Sequence, residues 1–231
     1  MRIDGLQKMT LLDFPGRVAC TVFAAGCNFR CPFCHNAPLV THIEETPAFS
    51  PEEVLSFLEK RRGLLDGVCL TGGEPLLQPD VADWLREVKA LGFAVKLDTN
   101  GSFPEKLKEL VRGGLVDYVA MDIKNRKEKY PLTAGISPAL LPAIGESVAF
   151  LLSADVESEF RTTVTAEHHT VEDVAAIGEW IRGAKRYFIQ PFKDSGDLVG
   201  SEPMSTPDES VLRAMERAAS PFVGSVSVRG I

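Results

Sequence analysis

The stretch GCNFRCPFCHN at residues 26–36 carries Cys27, Cys31 and Cys34, three of the five cysteines in a chain of 231 residues. Thiolates are soft metal ligands, and the spacing C-x3-C-x2-C lets one loop wrap a metal centre with its backbone amides turned toward the negative sulfurs. Three chemistries compete for this loop. Structural zinc takes a closed set of four ligands, and the nearby fourth candidate, His35, directly follows Cys34, so shared ligation of one ion is awkward. Cys31-Pro32-Phe33-Cys34-His35 also fits the C-x-x-C-H pattern of covalent haem attachment. That chemistry normally goes with export, and the N-terminus shows no basic-then-apolar signal. A cubane iron–sulfur cluster held by three thiolates leaves one iron open for another ligand, which accounts for three cysteines rather than four. Cys20 and Cys69 lie inside the apolar runs VACTVF and GVCLTG and read as small buried hydrophobes.

Other polar groups recur where apolar runs end. In LTGGEP, Gly72 and Gly73 permit close backbone approach to a ligand and Glu74 can accept from an ammonium group; the plain alternative is a strand-to-helix turn. Asp98 and Thr99 stand in LDTNG, Asp122 and Lys124 in AMDIK, and acids within strands need partners. An Asp98–Lys124 ion pair is the structural alternative there. Arg161, in the apolar run FRTTV, calls for an anion unless it faces solvent at an edge. The pair His168-His169 and Lys193 receive no role.

These residues must be held by something regular. Apolar, β-branched runs alternate with amphipathic stretches, the rhythm of βαβ units. Six strands are expected, at Arg17 to Phe23, Gly67 to Thr71, Ala94 to Thr99, Tyr118 to Ile123, Val156 to Val164 and Tyr187 to Pro191. Ser50-Pro51-Glu52-Glu53 reads as an N-cap, an N1 proline and first-turn acids, and Pro79-Asp80, Pro104-Glu105, Thr170 to Asp173 and Thr206 to Glu209 open further helices. Parallel strands with helical crossovers form an open doubly wound sheet or a barrel, and both place chemistry beyond the carboxyl ends of the strands, where the candidates fall. Lys193 to Ser205 reads as a loop. Length and a 45% hydrophobic content suit one domain over residues 1–231. A net charge of −7 argues against nucleic acid as a partner, and the apolar stretch Val18 to Cys27 is too short to span a bilayer, so neither nucleic acid nor membrane is an expected partner and the expected compartment is the cytoplasm.

The three cysteines, with Phe33 before the last of them and GGEP further on, resemble the radical S-adenosylmethionine superfamily over nearly the whole chain. The resemblance implies a partial TIM-like (β/α)6 barrel of parallel strands, one 4Fe–4S cluster on Cys27, Cys31 and Cys34, and S-adenosylmethionine on its open iron. It puts Phe33, Gly72, Gly73, Glu74 and Arg161 at the cofactor. DTNG and MDIK resemble the pyruvate formate-lyase activating enzymes; this implies a monovalent cation on Asp98, Thr99, Asp122 and the Ala120 carbonyl, with Lys124 reaching cofactor polar groups. Lys193 stands where those enzymes carry histidine. The opening KMTLLDFPGRVACTVFAAGCNFRCPFCHNAPLV resembles the glycyl-radical-enzyme activases of anaerobic ribonucleoside-triphosphate reductase. That implies hydrogen abstraction from a backbone glycine of the reductase, an electron donor such as flavodoxin or ferredoxin, and a position for Asp13 to Arg17 near the incoming glycine loop. A radical enzyme with a peptide or small-molecule substrate is the alternative within the class. A non-catalytic metal or electron-transfer module is the alternative outside it.

Overall fold

The structure is a computed structural model that describes residues 1–231 apart from 42, 44–46, 195 and 231. The chain forms two compact units, one of Met1–Asn28, Pro38–Thr99 and Phe103–Val119, the other of Phe29–Ala37, Asn100–Ser102 and Ala120–Ile231.

In the first unit, β1 (Ile3–Thr10), β2 (Ala19–Ala24), β3 (Gly67–Gly72) and β4 (Ala94–Thr99) lie side by side in that order. β2 to β4 are mutually parallel, with Ala24 opposite Gly72 and Cys69 opposite Lys96, and β1 pairs antiparallel to β2. The short α1 (Ala37–Val40) is followed by the crossover helices α2 (Pro51–Glu59), α3 (Val81–Ala90) and α4 (Pro104–Arg112). α2 begins as its sequence dictates. The Ser50 hydroxyl accepts from the Glu53 amide at 3.1 Å, and the Glu53 carboxylate accepts from the Ser50 amide at 2.7 Å. Leu58, Leu85 and Leu107 on one face of each helix are fully buried, as are Val22, Leu70 and Leu97 of the strands. Each such side chain contributes about 2 kcal/mol by leaving water.

The second unit takes over within β5 (Tyr118–Asp122) and continues through α5 (Tyr130–Ala134), α6 (Leu141–Ser153), β6 (Glu157–Val164), α7 (Val171–Trp180), β7 (Tyr187–Pro191), α8 (Glu209–Ala219) and β8 (Val226–Val228). β6, β7 and β8 are parallel neighbours. α7 is opened by a second capping box, Thr170 with Asp173. Its core holds Met121, Ile144, Phe160, Ile177, Tyr187, Ile189 and Met215. The α/β reading therefore stands, with parallel strands and helical crossovers in each unit. Among the described residues no helix is long and apolar enough to cross a membrane.

Two strands were not foreseen. β1 (IDGLQKMT) buries only Ile3 and Thr10 and is otherwise half-buried or exposed, so it lacks an apolar run; β8 has three residues. The first expected strand starts at Ala19 instead of Arg17. Arg17 is exposed, its amide bonded back to the Phe14 carbonyl in a turn and its guanidinium 5.3 Å from the Phe14 ring.

Candidate active site

In the first unit, β2 ends at Ala24 and runs into Ala25, Gly26 and Cys27. The segment after β3 is laid against this turn backbone to backbone: Gly73 donates to the Ala24 carbonyl and Glu74 to the Gly26 carbonyl, both at 2.8 Å. No side chain fits between them. A Cβ on Gly73 would sit 2.1 Å from the Gly26 oxygen and 3.3 Å from the Cys27 Cβ, and one on Gly72, whose φ is +119°, would sit 2.2 Å from the Ala24 oxygen. The two glycines of GGEP thus set the distance between the first cysteine and the end of β3.

Glu74 is fully buried. Its Oε1 accepts from the Leu76 amide at 3.0 Å and from the Thr99 hydroxyl at 2.9 Å, so the end of β4 orients the carboxylate that follows β3. Three residues earlier in β4, Lys96 is buried to 2% exposure and its ammonium is ion-paired with Asp98. The structural alternative of an Asp98–Lys124 pair is thus replaced by an Asp98–Lys96 pair. The sequence signal for it is i, i+2 spacing on one face of a strand.

In the second unit, Cys31, Pro32, Phe33 and Cys34 form a turn closed by the Cys34 amide on the Cys31 carbonyl at 3.1 Å. Arg30 donates to the Ala134 carbonyl at 2.9 Å, and the Cys31 thiol lies 3.7 Å from the same oxygen. From the far end of the chain, Val199 donates to the Cys34 carbonyl at 3.3 Å and Gly200 to that of Pro32 at 2.9 Å. The expected loop at Lys193 to Ser205 is therefore a support for the cysteine turn, a role that sequence reasoning missed. Phe33 is buried, its ring 6.1 and 6.2 Å from those of His168 and His169. His35 and Lys193 are exposed.

Asp122, at the end of β5, is gripped by two cations: Arg161 Nε lies 2.9 Å from Oδ1 and Lys124 Nζ 3.0 Å from Oδ2. Burial alone would raise the Asp122 pKa, but Arg161 and Lys124 outweigh it and hold the carboxyl well below its usual range. Burial likewise opposes the Lys124 charge and is overcome by Asp122 and by the neighbouring Cys31, so Lys124 remains an ammonium at any physiological pH. The anion that Arg161 requires is Asp122.

His169 locks this corner. Its Nδ1 accepts from the Thr165 amide at 3.2 Å, which leaves Nε2 as the donor to the Lys124 carbonyl at 2.8 Å. Burial pushes its pKa down to about 4. A histidine depressed in the fold resists protonation, so stability is full above the unfolded value of about 6.5 and is lost as pH falls toward 4, by about 3 kcal/mol for the whole shift. Denaturant titrations of the wild type are expected to lose stability across that window, and those of His169→Gln to be flatter there; equal slopes would remove His169 as the cause.

Among the described residues, no group of three or more His, Cys, Asp or Glu side chains converges tightly enough to hold a single metal ion. The thiolates of a cubane bind separate irons and need no common point. No cysteine is in a disulfide, and burial pushes the Cys20 thiol up to about 12, which marks it as an inert core thiol. Free thiols are the donors such a cluster takes.

The Radical SAM superfamily model matches residues 21–186. The chain belongs to the radical S-adenosylmethionine superfamily, whose enzymes work with a 4Fe–4S cluster and S-adenosylmethionine. Within it, the chain is 31% identical over 99% of its length, and 96% of the relative's, to a Methanocaldococcus jannaschii protein provisionally described as a glycyl-radical enzyme activating enzyme. It is 34% identical to the pyruvate formate-lyase-activating enzyme of Clostridium pasteurianum over 54% of this chain and about half, 52%, of that one. Among solved structures, a radical SAM methyltransferase from Sphaerobacter thermophilus superposes with a TM-score of 0.74 at 14% identity, covering 96% of this chain and 68% of that one. SuiB of Streptococcus suis bound to S-adenosylmethionine superposes with a TM-score of 0.70 at 12% identity, covering 91% and 52%. These two likenesses concern the fold.

Proposed function

We propose that this chain is the activase of an anaerobic ribonucleoside-triphosphate reductase, working as a single radical SAM domain in the cytoplasm and taking electrons from a flavodoxin- or ferredoxin-type donor. The observation that carries the activase reading is the similarity, over almost the full length of both chains, to a protein described as activating glycyl-radical enzymes. The resemblance of the opening KMTLLDFPGRVACTVFAAGCNFRCPFCHNAPLV supports the choice of reductase.

In this reading Cys27, Cys31 and Cys34 hold the cluster. When bound, the cluster supplies one electron that breaks the sulfonium carbon–sulfur bond of S-adenosylmethionine, giving methionine and a 5'-deoxyadenosyl radical that takes the hydrogen of a backbone glycine. The chain's own residues bind and orient. Gly72 and Gly73 allow the methionine end of the cofactor to approach backbone, and the Thr99 and Leu76 donors aim Glu74 as an acceptor for its amino group. Lys124 and Arg161, fixed by Asp122, present positive charge to polar groups of the cofactor. Phe33 closes the cysteine turn against water.

Electron paramagnetic resonance decides the reading. Anaerobically reconstituted, reduced protein mixed with S-adenosylmethionine and the reductase from the same cell is expected to give a glycyl-radical doublet. If 5'-deoxyadenosine accumulates and no doublet appears, the assigned partner is wrong; a doublet on pyruvate formate-lyase instead would move the activase to that partner.

A further inference from the structure

The residues that would share a monovalent cation already carry positive charge built into the chain. Lys96 lies in β4 directly opposite Cys69 of β3, buried to 2% exposure, with its ammonium ion-paired to Asp98 and 3.8 Å from the Cys69 sulfur. A lysine buried this deeply is costly unless its charge is matched, and Asp98 matches it. The Thr99 hydroxyl donates to Glu74. Sodium and potassium need several oxygen atoms turned toward them as acceptors, and here the Asp98 carboxylate faces an ammonium group instead. The implied cation does not fit the end of β4.

We propose that the Lys96 ammonium supplies to Asp98 and the end of β4, as part of the chain, the single positive charge that a bound potassium or sodium ion would bring, so that cofactor binding here requires no monovalent cation. An ammonium carries the same unit charge as either ion and donates hydrogen bonds along fixed directions, so a strand-held lysine can orient Asp98 without recruiting anything from solution. The inference rests on the reading that the ends of β3 and β4 hold S-adenosylmethionine.

The test compares S-adenosylmethionine affinity of the cluster-loaded protein in potassium, sodium and choline chlorides at equal ionic strength, with thermal unfolding of the cluster-free chain in the same three salts. The wild type is expected to bind within twofold across the salts and to unfold at one temperature in all three. Lys96→Gln is expected to bind at least tenfold more weakly in choline, to recover in potassium or sodium, and to gain a potassium-dependent rise in unfolding temperature without cluster or cofactor. A wild-type affinity that rises tenfold with potassium or sodium would overturn the proposal and leave the cofactor reading intact. So would a folded Lys96→Gln variant indifferent to the cations. Failure of the wild type to bind in any salt overturns the cofactor reading and the proposal with it. Should Lys96→Gln not fold, the wild-type comparison decides alone.

Discussion

Replacing any one of Cys27, Cys31 or Cys34 by alanine is expected to abolish cluster assembly and, with it, 5'-deoxyadenosine formation, down to the level of a control without protein. Three thiolates hold three irons of a cubane and leave the fourth open, so there is no spare ligand to lose. His35 is exposed beside Cys34 and offers no clear substitute. Cys20→Ala and Cys69→Ala are the matched controls. Both residues are fully buried in neighbouring parallel strands, so their loss should cost about 1 kcal/mol of packing and leave cleavage intact. Iron content, the charge-transfer absorbance of the cluster and chromatography of 5'-deoxyadenosine read the result. A single cysteine variant with wild-type turnover would sink the ligand assignment, and loss of turnover in Cys20→Ala would show that cleavage tracks stability alone.

Gly73→Ala is expected to be nearly as severe for a different reason. The added methyl group would meet a carbonyl oxygen at 2.1 Å and its carbon at 2.6 Å, backbone atoms that cannot rotate away. Relief requires the Gly26–Cys27 turn to move off the end of β3, which also breaks the 2.8 Å bond from the Glu74 amide to that same oxygen. Overpacking of this kind costs about 3 kcal/mol or more, which lowers the unfolding temperature of a chain this size by about 6 to 12 °C. Cofactor affinity should fall further than stability, because the displaced parts are the first cysteine and the carboxylate. Gly92→Ala separates the two effects: its φ of +93° strains alanine, but nothing lies within 4 Å of the new Cβ, so it should lose stability and keep cofactor affinity. Equal loss of affinity in both variants would refute the role given to Gly73.

Among the described residues, six of eight strands were legible in the sequence, because a buried strand of a parallel sheet writes itself as a mostly apolar, β-branched run. β4 at Ala94–Thr99 and β7 at Tyr187–Pro191 fall where expected to the residue. β1 was not legible because it has no apolar run, and the successive positions Gln7, Lys8 and Met9 are exposed. The candidate site shows the same division. Residue types and spacing marked the cysteines, GGEP and the acids at the strand ends. Which acid pairs with which base depended on contacts between residues far apart in the chain: Glu74 meets Thr99 across 25 residues, and Asp122 meets Arg161 across 39. The Lys96–Asp98 pair is short in sequence, yet nothing local shows on which side the charge of a lysine inside an apolar strand is satisfied. The same holds for His169, whose burial and bond to the Lys124 carbonyl come only with the tertiary fold.

The two backbone bonds from Val199 and Gly200 to the cysteine turn set an order of events in the making of the protein. A chain leaves the ribosome N-terminus first, so Cys31 and Cys34 emerge well before the strut that closes their turn. Gly200 sits so close to Pro32 that a Cβ there would lie 2.6 Å from the proline Cβ, so the fit is made by glycine and comes only with late docking. Until that segment docks, the Pro32 and Cys34 carbonyls lack these two donors, so the turn is closed on that side only once residues 199 and 200 are in place.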